Sequence, residues 1–293
     1  MIQSSAFARP PVDVQTPSSS RGRTRGSRRL AYYRELKRKL ATLQKEYADL
    51  HTALFEGAQV HRHLCAPRLV RHGDVEIASE IFAVRYLPGD FFTIEETSGG
   101  VILALGDVCG KGVAAGMWTP CLVGLVRAHA AASSEPQAIV TAVNHEFCRM
   151  QAPLTTLFIA RLDPATGRLD YCRAGHPPAL LLRADDRLEP LTDGGMLLGM
   201  APDASFGTGC VELRAGDVLL AYSDGVLESR NTADQEFGDE RLEAQLRVAR
   251  TGSAEAVLFS VLGAVQDFAA PHALIDDTSL VVVRYRNDPR SVA

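Results

Sequence analysis

The sequence predicts an α+β fold, a layered sandwich of mainly antiparallel sheets and helices, preceded by an N-terminal coiled-coil helix. Three observations predict it. Short apolar or alternating runs bounded by turn residues recur after Pro67. Helical stretches fall in consecutive pairs between groups of strands, which disfavours a doubly wound parallel sheet. Residues 28–64 contain no proline and repeat apolar residues at alternating spacings of three and four.

Composition bounds the reading. At 293 residues, 46% hydrophobic and 23% charged, the chain can build one large domain plus an appendage. It has no apolar run long enough for a membrane span and no apolar stretch near the start that reads as a secretory signal. Cys65, Cys109, Cys121, Cys148, Cys172 and Cys210 are scattered, without C-x-x-C pairs, and read as free thiols of a reducing cytoplasm. The net charge of −4 hides six arginines against Asp13 in residues 1–29, a local +5 that leaves −9 on the remainder. An acidic body argues against nucleic acid as a general partner.

Taken in order, residues 1–27 are rich in Pro, Ser, Arg and Gly without a hydrophobic period and are expected to be a disordered basic tail. Arg21, Arg23, Arg25, Arg28 and Arg29 read as solvated charge, with contact to an anionic surface as the alternative. Residues 28–64 form the helix, its seam being Tyr33, Leu36, Leu40, Leu43, Tyr47, Leu50 and Leu54. Three heptads favour a parallel homodimer, and a single helix folded back on the domain is the other use. Residues 65–288 hold the main domain, and 289–293 a short tail. Strands are predicted at 75–84, 101–108, 155–162, 168–173, 179–183, 218–222 and 279–285, helices at 113–132, 135–151, 239–249 and 254–268. The Asp163-Pro164-Ala165-Thr166-Gly167 link between two strands is hairpin-like.

Four acidic signals lie beside strands: Gly89-Asp90, the Gly106-to-Gly112 turn around Asp107, Ser223-Asp224-Gly225, and Asp276-Asp277. Hard divalent ions want oxygen ligands, so a few carboxylates and a backbone carbonyl suffice, and flanking glycines permit close approach. Taken singly, Asp224-Gly225 and Asp276-Asp277 also fit ordinary turns. The glycine-rich turn fails as a phosphate-binding loop, since Leu105 stands where a glycine is required and Gly112 where Ser or Thr should follow Lys111.

Taken together, G-D-V-C-G-K-G-V-A-A-G at 106–116, A-G-H-P-P at 174–178, G-G-M-L-L-G at 194–199, Y-S-D-G-V-L-E at 222–228, F-G-D-E-R-L at 237–242 and D-D-T-S-L-V-V-V at 276–283 resemble the PPM-type metal-dependent protein phosphatases, in their SpoIIE-like bacterial branch. The resemblance covers roughly residues 58–286. It implies an α-β-β-α sandwich with a two-metal site, Mn²⁺ or Mg²⁺, at one end of the sheets. By matched positions Asp107 would bridge both ions, the Val108 carbonyl would complete one, Asp224 and Asp276 would hold the second, and Asp90 would ligate directly or through water. The implied activity is hydrolysis of phosphoserine or phosphothreonine on a regulatory protein such as an anti-sigma-factor antagonist. One departure is local: Leu87-Pro88-Gly89-Asp90 replaces the branch's usual glycine pair, and the acid expected three residues later is Thr93.

His176 reads either as a general acid or as part of a rigid turn with Pro177 and Pro178. Lys111 reads as a surface lysine, with steering of a phosphate as the alternative. A catalytically silent phosphoprotein-binding regulator is the rival function for the whole chain, and a nucleotide-binding switch a more distant one.

Overall fold

A computed structural model describes residues 25–64, 69–84, 86–97 and 99–286. Of the tail expected at 1–27, residues 1–24 lie outside them and the last three are helical; the tail expected at 289–293 and Cys65 also lie outside. In chain order the elements are α1 (Arg25–Leu64), β1 (Leu69–His72), β2 (Val75–Phe82), β3 (Asp90–Thr97), β4 (Gly100–Val108), α2 (Val113–Gly116), α3 (Thr119–Ala132), α4 (Pro136–Met150), β5 (Thr155–Leu162), β6 (Arg168–Ala174), β7 (Ala179–Leu182), β8 (Leu188–Leu191), β9 (Gly194–Gly195), β10 (Gly209–Glu212), β11 (Val218–Tyr222), α5 (Asp224–Leu227), α6 (Gly238–Ala249), α7 (Ala254–Ala269) and β12 (Thr278–Tyr285).

One sheet runs β1-β2-β12-β11-β7-β8 and the other β10-β6-β5-β4-β3, with β9 beside β6. Every ladder is antiparallel except the short β6–β9 pair. Side-chain alternation explains the layers. On β4, Val101, Leu103 and Leu105 point between the sheets, where they meet Phe158, Leu181, Leu219 and Val281. Ile102 and Ala104 point the other way, onto Leu122, Val126, Ile139 and Val143 of α3 and α4. On β12, Val281 and Val283 face the other sheet, while Leu280 and Val282 meet Val257, Val261 and Val265 of α7. Both faces of the central strands are buried, so those strands read as unbroken apolar runs. Burying each such Leu, Ile or Val contributes about 1.5–3 kcal/mol.

The helix expected at 113–132 is two helices. Pro120 sits in the first turn of α3, where its missing N–H costs nothing, but it could not continue a helix from α2. The Thr119 hydroxyl donates to the Gly116 carbonyl at 2.9 Å across the break. The expected strand at 75–84 ends at Phe82, and 279–285 begins one residue early, at Thr278. The short strands β1, β8, β9 and β10 and the acid-bearing β3 carry no alternation strong enough to read from the sequence.

Two compact units meet between Thr52 and Ala53. The first holds the leading part of α1, which starts at Arg25, three residues before the expected start. There the seam residues Tyr33, Leu36, Leu40, Leu43, Tyr47 and Leu50 are all exposed. In the second unit, Ala58 and His61 of the last turns of α1 are buried, and His61 Nε2 lies 2.5 Å from Thr119 Oγ1. Among the described residues no helix is long and apolar enough to cross a membrane.

Candidate metal centre

The four acidic signals converge where strands of both sheets end. Asp90 opens β3 and Asp107 is the next-to-last residue of β4, and the two stand opposite each other in the ladder. Asp224 opens α5 directly after β11, and Asp276 precedes β12. The β11 and β12 ends are locked together: Ser223 N–H donates to the Ser279 carbonyl and Ser279 N–H to Ser223 Oγ, each at 3.0 Å. Asp224-Gly225 and Asp276-Asp277 are therefore neighbours, so close that a Cβ on Gly225 would fall 2.0 Å from the Asp277 carbonyl oxygen.

Electrostatics report the same convergence. Burial raises the Asp107 pKa to about 7, and the charges of Asp224, Asp276 and Asp277 push in the same direction. Asp224 is exposed, yet enclosing protein and the charge of Asp276 push its carboxyl up as well. Asp90 is 2% exposed, and its pKa is raised well above the usual carboxylate value by burial and by Asp107. Ser279 Oγ donates to Asp90 Oδ2 at 2.5 Å, and Ser223 also bonds this carboxyl.

A divalent ion suits this donor set, which is all oxygen and carries excess negative charge. The space beside Gly89 is flanked by two of the expected ligand atoms: a Cβ there would sit 3.0 Å from Asp107 Oδ1 and 3.1 Å from the Val108 carbonyl oxygen. Only glycine leaves that gap open. Among the described residues no group of three or more His, Cys, Asp or Glu side chains is drawn up to ligand spacing. Like charges oppose closer approach of Asp107, Asp224 and Asp276, and a cation's charge would remove that opposition. Lys111 is the positive group at hand. Its ammonium bonds Asp276 Oδ2, and its charge partly offsets the upward push of burial and Asp276 on the Asp224 carboxyl. Gly110 and Gly112, at φ of 121° and 72°, set the loop that carries it.

Residues 97–286 match the family described as Stage II sporulation protein E (SpoIIE). The chain belongs to the SpoIIE family. The resemblance to the PPM-type, SpoIIE-like branch is thereby borne out, and so is the layered fold. The chain is similar to Protein IcfG of Synechocystis sp., 23% identical over 267 residues that cover 80% of this chain and 41% of IcfG. It thus spans less than half of that relative's length. It is also similar to Phosphoserine phosphatase RsbU of Bacillus subtilis, 22% identical over 249 residues, covering 83% of this chain and 73% of RsbU. The SiaA-PP2C domain of Pseudomonas aeruginosa shares the fold with a TM-score of 0.72 at 18% identity, covering 85% of this chain and 99% of that one.

Several groups of this SpoIIE-family site are not assigned by sequence reasoning. Asp277 accepts the N–H groups of Val84 and Gly89, fixing the loop before Asp90. Ser223 and Ser279 hold Asp90, and Thr156 Oγ1 accepts the Asp107 N–H at 3.2 Å. The doubled acid at 276–277 is the one available signal for Asp277. Thr156 has none, because its role depends on cross-strand register with Asp107.

Proposed function

We propose that this chain is a metal-dependent protein-serine/threonine phosphatase of the cytoplasm that hydrolyses phosphoserine or phosphothreonine on a regulatory protein, using two divalent cations, Mn²⁺ or Mg²⁺. The observation that carries the reading is the convergence of Asp107 with Asp224 and Asp276, from two different sheets, on one cleft. In this reading Asp107, the Val108 carbonyl, Asp224 and Asp276 would hold the two ions, with Asp90 ligating directly or through water. Two such ions would supply an activated water and offset charge on the phosphate oxygens, so that no protein nucleophile would be needed. Cys109, the nearest thiol in sequence, is ill suited to that role: burial and the charges of Asp107 and Asp224 raise its pKa and keep it protonated.

The RsbU relative is named a phosphoserine phosphatase, which supports the substrate class. An anti-sigma-factor antagonist or similar signalling protein fits that class. The exposed seam of α1 supports a parallel homodimer. The test is manganese-dependent hydrolysis of p-nitrophenyl phosphate and of a phosphoserine peptide, with Asp107→Asn and Asp224→Asn as controls. A rate that rises with Mn²⁺ in the parent and is lost in both variants is expected. A folded parent protein without any metal-stimulated rate would leave the second reading, a silent phosphoprotein-binding regulator. The specific feature favouring that second reading is Asp90, whose Oδ2 is already engaged by Ser279.

A further inference from the structure

His176 lies in the turn between β6 and β7, where the chain passes from one sheet to the other. The turn is held from several sides. Gly175 has φ of 66° and donates its N–H to the Gly195 carbonyl at 3.0 Å, and Arg173 Nη1 donates to the His176 carbonyl at 2.8 Å. The imidazole itself is 1% exposed. A side chain sealed in this way cannot hand a proton to a leaving group in the cleft. Burial also lowers its pKa to about 3, so the ring is neutral wherever the protein is folded and active.

What the ring does touch is informative. Its Nδ1 lies 2.8 Å from Thr156 Oγ1, and the same hydroxyl accepts the Asp107 N–H. A hydroxyl has one proton and two lone pairs, so Thr156 can receive the Asp107 N–H while giving its own proton to a neutral imidazole nitrogen. Nε2, which carries the ring proton when Nδ1 accepts from Thr156, is buried and makes no hydrogen bond, and the Tyr222 main chain, which leads into Ser223-Asp224, lies close enough to act on the ring electrostatically. The imidazole thus lies between the β4 end that carries Asp107 and the β11 end that leads to Asp224.

We propose that His176 is a positioning residue for the metal centre, fixing the Asp107 main chain through the Thr156 hydroxyl without touching substrate. The inference rests on the reading of Asp107 as a metal ligand. Groups behind metal ligands typically change metal affinity or activity by about 10–100-fold when removed.

The experiment measures Mn²⁺ affinity of the metal-stripped full chain by calorimetry, for the parent, His176→Phe, His176→Asn, Thr156→Val, the His176→Phe/Thr156→Val double variant and Asp107→Asn. His176→Phe and Thr156→Val are each expected to weaken Mn²⁺ binding about 10–100-fold. The double variant should be no weaker than the worse single, because both break one relay. His176→Asn, whose amide oxygen can accept near the Nδ1 position, should recover most of the loss. At saturating Mn²⁺ the ratio of rates on p-nitrophenyl phosphate and phenyl phosphate should stay at the parent value in His176→Phe. Parent-like Mn²⁺ affinity in His176→Phe, or a loss confined to the poorer leaving group, overturns the proposal. If His176→Phe does not fold, Thr156→Val decides it by the same affinity criterion. Asp107→Asn separates the two failures: parent-like binding there removes the metal reading and this inference together, whereas lost binding there beside an unaffected His176→Phe removes the inference alone.

Discussion

Asp277 joins the two ends of the acidic cleft to each other through Gly89, whose N–H donates to Asp277 Oδ2 at 3.0 Å. The other carboxylate oxygen takes the Val84 N–H at 2.9 Å. The loop that presents Asp90 is therefore pinned by the residue that follows Asp276. The site is closed by a backbone N–H to carboxylate bond between segments almost 190 residues apart in the chain.

Asp277→Ala strands the buried Gly89 donor, which costs about 1–3 kcal/mol. Asp277→Asn removes the same charge but keeps one acceptor. In denaturant unfolding with EDTA, the Asn variant should therefore be the more stable of the two. Equal stabilities would mean that these bonds contribute nothing.

The folded Asp107 carboxyl has a pKa of about 7 against an unfolded value near 3.8. Between those values the folded chain holds a proton that the unfolded chain has lost, so this group's contribution to stability declines as pH rises through the window. His61 and His176, with pKa values lowered by burial, act with the opposite sign, in parent and variant alike. The metal-free Asp107→Asn protein should consequently gain on the parent in melting temperature between about pH 5 and about pH 8. Mn²⁺ should protect the parent, increasingly as pH rises, because ligating carboxylates must be deprotonated. A flat difference between the two melting curves would contradict the assigned shift.

Lys111 competes with a cation for Asp276. Its ammonium is partly exposed, and such pairs are worth about 0.2–1 kcal/mol, so Lys111→Gln should tighten Mn²⁺ binding by up to about fivefold. Weaker binding in the variant would argue that the lysine supports the site.

On α1, replacing Leu36 and Leu43 by lysine should dissociate the proposed dimer. Each leucine buried in a helix pair contributes about 1.5–3 kcal/mol, so the dissociation constant should rise at least about a hundredfold. Sedimentation velocity checks it, and an unchanged association state would direct attention away from the seam.

Legibility followed burial. β4, β11 and β12 are covered on both faces, and their apolar runs stood out in the chain with boundaries right to within a residue. β3 begins with a buried acid and carries Glu95 and Glu96, so Asp90-Phe91-Phe92 gave no strand period. The break between α2 and α3 was visible only as Pro120, a residue that the first turn of a helix tolerates. Asp107 and Asp224 were legible because glycines mark the places where backbone and carboxylate come close, and Asp276 because a second acid follows it.

The order of apolar runs and glycine-flanked acids determined, without coordinates, the layered fold class and which carboxylates to watch. Only the tertiary structure decided that Asp277 clamps Gly89, that Ser223 and Ser279 hold Asp90, and that His176 is sealed behind Thr156 instead of facing the cleft. Those contacts depend on strand register and on the meeting of two sheets. Hydrogen-bond partners far apart in the chain leave no local pattern for a sequence to display.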